Sequence, residues 1–288
     1  MFNILVSMRP KQWIKNLFLF AGLIFSQNLF NIHKDLLTLL GFAIFCGVSG
    51  CVYLINDIKD IEGDKIHPEK SSRPIPSGNL SKSTAALAAG IILIVCLPLA
   101  FYINFYLGII TITYLILNLG YSFYLKNIVI LDVFIIATGF VLRVLAGASI
   151  VSVRPSHWLI ICTLTISLFL GFCKRRHELI ALEDNAVNHR TVLGKYSVYF
   201  LDQMIAIVTA STVMSYALYT VSKETIEKFG TPNLIYSIPF VFYGIFRYLY
   251  LVHQKETGSN PSEELLTDKP LAINVILWIL CVITIIYT

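Results

Sequence analysis

Long apolar runs constrain this 288-residue chain more than any other feature of its sequence. Each run holds about 17 to 22 residues, enough for an α-helix that crosses a hydrocarbon core of about 30 Å. Hydrophobic residues make up 56% of the chain and charged residues only 14%, outside the usual range for a soluble domain. The sequence therefore predicts an all-α polytopic membrane protein of about nine transmembrane helices, at 17–33, 36–55, 83–101, 104–124, 131–151, 156–173, 199–221, 232–252 and 271–287.

The N-terminal segment gives weaker signals than the rest of the chain. Asn28 and Asn31 interrupt the first run, so we expect a tilted or partly interfacial helix there. The stretch Met1–Met8 is too short for a signal-peptide core, and its charges follow the apolar part. We therefore expect no cleaved leader.

Lysine and arginine are distributed unevenly between the two sides of the predicted membrane domain. With the N-terminus inside, 16 of the 22 fall in cytoplasmic segments. This bias predicts a multi-pass protein of the cell inner (plasma) membrane whose long polar loops face the cytoplasm. The net charge of +5 then follows from topology and does not indicate nucleic-acid binding.

Residues 1–288 carry no separate soluble domain and no low-complexity tract, so we expect one transmembrane domain. Its cytoplasmic caps are predicted at 56–82, after the second span, and at 174–198, after the sixth. Gly47 and Gly50 allow close helix packing within one chain or between chains, which leaves a homo-oligomer open.

Asp57, Asp60 and Asp64 recur at helical spacing where the second span ends, with Asn56 beside Asp60. At about 100° per residue these aspartates lie on one side of a helix. Clustered carboxylate and amide oxygens suit Mg²⁺, which often shares such ligands with substrate phosphates. The alternative is a solvated loop after a membrane helix. The cluster favours a metal site because grouped like charges are costly without a counter-ion.

Two ionisable residues lie inside the fifth predicted span. Asp132 and Arg143 are eleven residues apart, which places them on one face of a helix. Such residues normally face a bundle interior or a polar cavity. The alternative is a charge pair that only fixes packing. No zinc-protease, P-loop, dinucleotide or nucleophile-elbow motif is present, and the six cysteines form no C-x-x-C pair.

Three motifs together resemble the UbiA superfamily of intramembrane prenyltransferases. They are Asn56-Asp57-x-x-Asp60-x-x-x-Asp64, Arg73-Pro74-Ile75-Pro76-Ser77-Gly78 and Tyr121-Ser122-x-x-Leu125-Lys126. The resemblance implies nine transmembrane helices around a central cavity, with a Mg²⁺–diphosphate site under cytoplasmic caps.

The chain departs from typical members of that family on the second cap. Where they carry a second aspartate-rich motif, this sequence has Lys174-Arg175-Arg176-His177-Glu178-Leu179, followed by Glu183-Asp184 and Arg190. Cations at this place suit phosphate oxygens, and arginine favours bidentate contacts. The alternative is that these are positive-inside anchors.

The basic motif is similar to that of one branch of the superfamily, which moves 5-phosphoribose from phosphoribosyl pyrophosphate to a decaprenyl-type polyprenyl phosphate. Further support comes from Arg9-Pro10-x-Gln12-Trp13-x-Lys15-Asn16 and from the tail between Asn260 and Leu271. The resemblance implies a membrane-bound pentosyltransferase that releases diphosphate and forms polyprenylphosphoryl-5-phosphoribose.

The same resemblance implies a role for each candidate site residue. Mg²⁺ on the pyrophosphate is expected at Asn56, Asp57, Asp60 and Asp64, with Asp57 and Asp60 essential for catalysis. Lys126 and Arg73 are expected to neutralise the leaving charge. Ribose and the 5-phosphate are assigned to Tyr121, Lys174, Arg175 and Glu178, and the lipid phosphate to Lys11, Trp13 and Lys15.

Two alternatives remain open from the sequence. The first is a UbiA-type prenyltransferase that moves an isoprenoid from its diphosphate to an aromatic or lipid acceptor, which the missing second aspartate motif disfavours. The second is a transporter or lipid scramblase, for which a cytoplasmic Mg²⁺ cluster has no obvious use.

Overall fold

The computed structural model describes residues 2–66, 70–182, 192–255 and 261–288, and within these ranges it is helical without strands. Eight helices are long and apolar enough to cross a membrane. We label their α-helices α1 to α8: Ile32–Lys59, Lys82–Ile103, Phe105–Phe123, Leu131–Ile150, His157–Leu182, Val198–Val221, Ile238–Gln254 and Lys269–Tyr287. The seventh span also includes the 3₁₀ turn Asn233–Ser237, which leads directly into α7. The predicted all-α polytopic class is confirmed.

The first predicted span, 17–33, is not a continuous α-helix. A 3₁₀ helix, Pro10–Leu19, leads into a short α-helix, Phe20–Ile24, and turns follow. The helix stops because Gln27 adopts a left-handed φ of 58° and Asn28 bonds to Ser26 instead of continuing the ladder. The described residues therefore contain eight long apolar helices where the sequence predicted nine.

The contacts divide the chain into two compact units. The first comprises Met1–Ile128 and Leu142–Arg154, and its buried core includes Phe45 and Leu107. The second comprises Val129–Val141 and Pro155–Thr288, with a core that includes Phe169. Helix α4 contributes residues to both units. A single transmembrane domain over 1–288 stays a prediction.

Two glycines allow the backbone of the N-terminal segment to pack directly against the backbone of helix α4 within the first unit. A Cβ added to Gly147 would lie 1.9 Å from the carbonyl oxygen of Leu19, and one added to Gly22 would lie 2.6 Å from the amide nitrogen of Ala148. Only glycine permits backbones to approach this closely. The contact fixes the segment that carries the basic N-terminal motif.

The predicted caps differ from the structure at their boundaries. The first cap, 56–82, begins with the last turn of α1 and continues through Ile61–Ile66 and the 3₁₀ turn Lys70–Ser72. The second predicted cap, 174–198, begins too early in the chain, because α5 continues to Leu182. Arg175 and Arg176 find carboxylate partners there, so the helix tolerates their charges. Several residues of the sequence motifs lie outside the described ranges, namely Glu183, Asp184, Arg190 and Asn260.

Candidate active site

The aspartate motif lies at a break between two helices. Helix α1 ends at Lys59, and Asp60 leaves the helical conformation with φ −91° and ψ 11°. A new helix begins at Ile61 and carries Asp64. The prediction that the three aspartates share one side of a single helix is therefore wrong. The break redirects the third carboxylate, and the partners come from other parts of the chain.

Asp57 and Asp64 converge on one guanidinium. Nη1 of Arg73 lies 3.3 Å from Oδ1 of Asp57 and donates a 2.9 Å hydrogen bond to Oδ2 of Asp64. Arg9 also donates to Asp57, whose side chain is only 1% exposed. Lys70 approaches Asp64 to 3.8 Å. Cations compensate the cost of burying these two carboxylates.

Asp60 takes a different cation. Lys126, in the 3₁₀ turn that follows α3, donates from Nζ to both carboxylate oxygens, at 3.1 and 2.9 Å. Lys59 bonds to the carbonyl of Ser122 and lies 4.4 Å from the centroid of the Phe123 ring. These contacts join the end of α1 to the end of α3. Half-buried Asn56 and Tyr121 lie on those last turns.

The loop after the second short helix positions Arg73. Its carbonyl accepts from the amide of Ser77 at 2.9 Å, and the carbonyl of Pro74 accepts from Leu80 at 2.8 Å. Buried Ile75 anchors the turn, and Gly78 supplies its positive φ of 82°. Burial lowers the pKa of Arg73, but arginine starts so far above neutrality that the guanidinium stays charged.

The first cluster fits Mg²⁺ by its donor chemistry, although the ligands are not gathered onto one point. Within the described ranges, no three His, Cys, Asp or Glu side chains are placed to hold a metal ion. Asp57 and Asp64 nevertheless direct carboxylate oxygens at a common cation, which in this structure is the Arg73 guanidinium. Mg²⁺ is commonly held by one or two carboxylates together with substrate phosphates. The complete ligand set, with Asn56 and Asp60, stays a prediction.

A second charged cluster lies in the second unit around Arg175. Its guanidinium is 2% exposed, donates from Nε to Oδ2 of Asp132 at 2.8 Å and also bonds to Glu178. Lys174 lies 3.8 Å from the other oxygen of Glu178. Tyr196 donates a 2.8 Å hydrogen bond to Asp132. Three predicted binding residues, Lys174, Arg175 and Glu178, therefore lie together, and Asp132 forms an ion pair with Arg175.

Tyr196 connects this cluster to a strained backbone. Ile130 has a φ of 70°, which β-branched residues rarely adopt. Its amide donates to the hydroxyl of Tyr196 at 2.6 Å, two residues before Asp132. Burial raises the pKa of Tyr196, so the phenol keeps the proton that it donates to Asp132.

Arg143 has partners unlike those of Asp132, although both lie on α4. In the first unit, its Nε donates to Oδ1 of Asn16 at 2.7 Å and its Nη2 donates to the hydroxyl of Tyr114 at 2.8 Å. Asn16 in turn donates to Ser49 at 3.3 Å. The predicted common face of α4 does not give these two ionisable residues a common partner.

The three predicted lipid-phosphate residues lie along the 3₁₀ helix Pro10–Leu19 in different environments. Lys11 is exposed. The ring of Trp13 packs on a buried apolar cluster, and its indole nitrogen has no hydrogen-bond partner in the described structure. Lys15 is half-buried, and burial together with the charges of Arg143 and Arg9 lowers its pKa to about 8.

Arg9 is the site residue that the sequence reasoning missed. It begins the N-terminal motif and has no role predicted from sequence, although it is paired with Asp57, 48 residues further along the chain. The Arg9-Pro10 dipeptide before an aromatic and basic stretch was the available signal. A left-handed φ of 55° at Arg9 turns the chain just before the 3₁₀ helix.

Curated proteins resemble the chain over almost its whole length. Decaprenyl-phosphate phosphoribosyltransferase of Corynebacterium glutamicum is 29% identical over 98% of this chain and 86% of its own. The protein of that name from Mycolicibacterium smegmatis is 29% identical over 96% of this chain and 90% of its own. The basic motif on the second predicted cap had indicated a resemblance to this branch of the superfamily.

A solved structure shares the fold. A UbiA homolog from Archaeoglobus fulgidus bound to GPP and Mg²⁺ superposes with a TM-score of 0.74 at 20% identity, covering 99% of this chain and all of that one. The family model for the UbiA prenyltransferase family matches residues 16–262, which hold the aspartate motif, Arg73, Lys126 and the basic cluster. This chain is an integral membrane protein that belongs to the UbiA prenyltransferase family.

Proposed function

We propose that this enzyme transfers 5-phosphoribose from phosphoribosyl pyrophosphate to a decaprenyl-type polyprenyl phosphate. The bond between C1 of ribose and the pyrophosphate oxygen breaks, and a bond from C1 to an acceptor phosphate oxygen forms. The products are diphosphate and polyprenylphosphoryl-5-phosphoribose. The names of the bacterial relatives support this choice of substrates.

One observation carries the proposal: carboxylates and cations alternate where α1 ends. Asp57 and Asp64 share Arg73, while Asp60 faces Lys126. A pyrophosphate that leaves from C1 gains negative charge, so it needs cations already in place. In our proposal Arg73 and Lys126 turn from carboxylates toward that charge when the donor binds.

Mg²⁺ held at Asn56, Asp57, Asp60 and Asp64 would neutralise the pyrophosphate as the C1–O bond weakens. The protein's further contribution to catalysis is to position the reacting groups. Arg9 keeps Asp57 oriented, and Tyr121 borders the ribose. The acceptor phosphate is an anion near neutral pH, so no residue has to remove a proton from it. In-line attack inverts C1 and gives a β linkage.

The donor has a second anionic end, the 5-phosphate. We assign it to Lys174, whose side chain is 36% exposed, with Glu178 on the ribose hydroxyls. Arg175 holds Glu178 in place through its own pairing with Asp132. On the acceptor side, we assign the lipid phosphate to Lys11, Trp13 and Lys15.

The proposed reaction is cytoplasmic. The solubility of phosphoribosyl pyrophosphate supports this, and so does the lysine and arginine bias, which favours a cytoplasmic side for the aspartate motif. We propose the plasma membrane as the location and one functional domain over residues 1–288. A homo-oligomer is compatible with this assignment and is not required by it.

Donor choice is the test that separates this function from prenyl transfer. Purified protein in nanodiscs with Mg²⁺ is offered phosphoribosyl pyrophosphate with polyprenyl phosphate, and in parallel geranyl diphosphate with an aromatic acceptor. We expect a phosphoribosylated lipid by mass spectrometry in the first reaction and no prenylated ring in the second. A prenylated ring without any phosphoribosylated lipid would reject the proposal in favour of a conventional prenyltransferase.

A further inference from the structure

Both ends of the second predicted cap bond to the carboxylate of Asp132, at the start of α4. Arg175, near the beginning of that cap, donates from Nε to Oδ2 at 2.8 Å. Tyr196, near its end, donates from its hydroxyl to Oδ1 at 2.8 Å. Each carboxylate oxygen thus accepts from a different part of the second unit, and the two bonds together fix the rotation of the carboxylate. We call these three residues the Asp132 network.

The hydroxyl of Tyr196 also holds the first turn of α4. It accepts a 2.6 Å hydrogen bond from the amide of Ile130, at the helix start, where backbone amides need acceptors from outside the helix. The carbonyl of Ile130 in turn accepts from the amides of Val133 and Phe134, at 3.0 and 3.1 Å. One hydroxyl therefore bonds to the residue that precedes α4 and to the carboxylate two residues further on.

The network is buried and includes strained backbone. Asp132 is fully buried, and Tyr196 is only 6% exposed. The ring of Tyr196 belongs to the apolar core of the unit and lies 6.0 Å from the ring of Phe200. Ile130 keeps a φ of 70°, and such strain persists only where the surrounding structure holds it. The Tyr196 hydroxyl supplies such a contact to the amide of Ile130.

The guanidinium of Arg175 connects this network to a predicted binding residue. It bonds to Asp132 through Nε and to Glu178 through Nη1. Because the guanidinium is a rigid plane, a rotation of the Asp132 carboxylate would displace the bond to Glu178 as well. Glu178 is 24% exposed, whereas Arg175 is 2% exposed, so a ligand can reach Glu178. Lys174 lies 3.8 Å from the other oxygen of Glu178 and is also partly exposed.

We propose that Tyr196 is a positioning residue of the donor site and acts on Glu178 through the Asp132 network. The inference rests on the proposed function, in which Glu178 contacts the ribose hydroxyls and Lys174 contacts the 5-phosphate. Tyr196 itself does not touch the donor. It fixes the Asp132 carboxylate and, through it, the Arg175 guanidinium. Glu178 is then oriented before ribose arrives, which lowers the entropic cost of binding.

Tyr196→Phe tests the proposal, with Tyr216→Phe as the matched control. Tyr216 lies in the same unit and is 7% exposed, against 6% for Tyr196. Its hydroxyl also has two partners, because it accepts from Nε1 of Trp278 at 2.9 Å and lies 2.7 Å from Oγ of Ser237. Each substitution removes a buried hydroxyl with two partners and keeps the ring. Of the two tyrosines, only Tyr196 belongs to the network that leads to Glu178.

Steady-state kinetics should separate the two variants. We expect Tyr196→Phe to raise the KM for phosphoribosyl pyrophosphate about tenfold, the effect of losing one hydrogen bond to a charged group. Its kcat and its KM for polyprenyl phosphate should stay within about twofold, because contacts to ribose and the 5-phosphate are the same before and during cleavage of the C1–O bond. Tyr216→Phe should keep all three constants within about twofold. Both variants should melt at a lower temperature than the wild type.

Ligand binding without turnover tests the network apart from the reaction. Ribose 5-phosphate carries the hydroxyls and the phosphate of the donor without its pyrophosphate. In isothermal titration calorimetry, its Kd should be about tenfold higher for Tyr196→Phe than for the wild type or Tyr216→Phe. Inorganic pyrophosphate with Mg²⁺ should bind equally to all three. Arg175→Lys is a second variant, which should show the same selective loss because its flexible ammonium lacks the rigid plane between Asp132 and Glu178.

A double variant tests whether Tyr196 acts through Glu178. Glu178→Gln should itself weaken the binding of ribose 5-phosphate, and adding Tyr196→Phe should weaken it less than about twofold further. Equal binding by the wild type and Tyr196→Phe, an equal loss in Tyr216→Phe, or full additivity in the double variant would overturn the proposal. A wild type that shows the Tyr196-dependent binding but transfers no phosphoribose would reject the reaction and keep the positioning role. A wild type that binds neither ribose 5-phosphate nor phosphoribosyl pyrophosphate would overturn both.

Discussion

Lys126 donates hydrogen bonds to both carboxylate oxygens of Asp60, at 3.1 and 2.9 Å, across 66 residues of sequence. The pair connects the turn after α3 to the break after α1. It keeps a cation next to the proposed pyrophosphate site. Both side chains remain partly exposed, at 22% and 29%, so a ligand can reach them.

This relationship predicts that Lys126→Met lowers kcat for phosphoribosyl transfer about 100-fold or more, because charge on the leaving pyrophosphate loses a positioned donor. Steady-state kinetics should show little change in the KM for polyprenyl phosphate. Glu62→Gln is the control: its side chain is 76% exposed near the same site, and it should keep wild-type rates. Equal rates for Lys126→Met and Glu62→Gln would remove Lys126 from the mechanism.

Arg73→Lys should also impair the enzyme although the charge is kept. Nη1 of Arg73 reaches oxygens of both Asp57 and Asp64, and the ammonium of a lysine, on a flexible stem, is not held at that point as Nη1 is by the rigid guanidinium plane. We expect kcat/KM for phosphoribosyl pyrophosphate to fall about tenfold, with the melting temperature within a few degrees of the wild type. An unchanged kcat/KM would mean that the bridge is dispensable for donor binding.

The buried pair of Arg175 and Asp132 should dominate the stability of its unit. Removing one partner of a buried pair typically costs about 3 to 5 kcal/mol, so we expect Asp132→Leu to unfold at much lower denaturant. Asp202→Leu is the matched comparison, because its pair with Arg176 is 37% exposed on the carboxylate side and should contribute about 1 kcal/mol or less. Similar unfolding midpoints for the two variants would contradict this assignment.

Gly147→Ala should disrupt the docking of the N-terminal segment. The added Cβ would lie 1.9 Å from the backbone oxygen of Leu19, which has no side-chain freedom to yield. We expect lower thermal stability and a raised KM for polyprenyl phosphate. Gly90→Ala in α2 meets no atom within 4 Å and should be neutral or stabilising by up to about 1 kcal/mol. A neutral Gly147→Ala would mean that the close approach is not required.

The pair of Arg247 and Asp268 predicts an acid-sensitive contribution to stability. The hydrogen bond from Arg247 lowers the pKa of Asp268, which also caps α8 by accepting from the amide of Leu271. A lowered pKa stabilises the fold above the ordinary aspartate value, and this contribution is lost as pH falls through the folded-state value. Asp268→Asn keeps a capping side chain but removes the charge. Its melting temperature should therefore lie below that of the wild type at pH 7, and the two should converge only as the pH falls through the lowered pKa of Asp268. A constant gap would contradict the linkage.

Much of the fold followed from sequence, because uncharged runs of membrane-spanning length leave few alternatives to helices. The end of α1 did not follow, since the spacing of Asp57, Asp60 and Asp64 suits a continuous helix. The structure breaks it at Asp60, where the carboxylate pairs with Lys126 from a distant turn. The hydrogen-bond partners of Asp132 and Arg143 could not be predicted from sequence either. Helical periodicity predicts which face of a helix a residue lies on, but not which side chain of another helix it contacts.

The measurement that tests the central claim most directly follows two labels in one donor. Phosphoribosyl pyrophosphate carrying ¹⁴C in ribose and ³²P in the β-phosphate is incubated with polyprenyl phosphate, Mg²⁺ and purified protein, with and without EDTA. We predict that ¹⁴C enters the organic phase and ³²P stays in water as diphosphate, and that EDTA and Asp60→Asn abolish the transfer while Glu62→Gln does not. Both labels in the lipid, or neither, would contradict phosphoribosyl transfer.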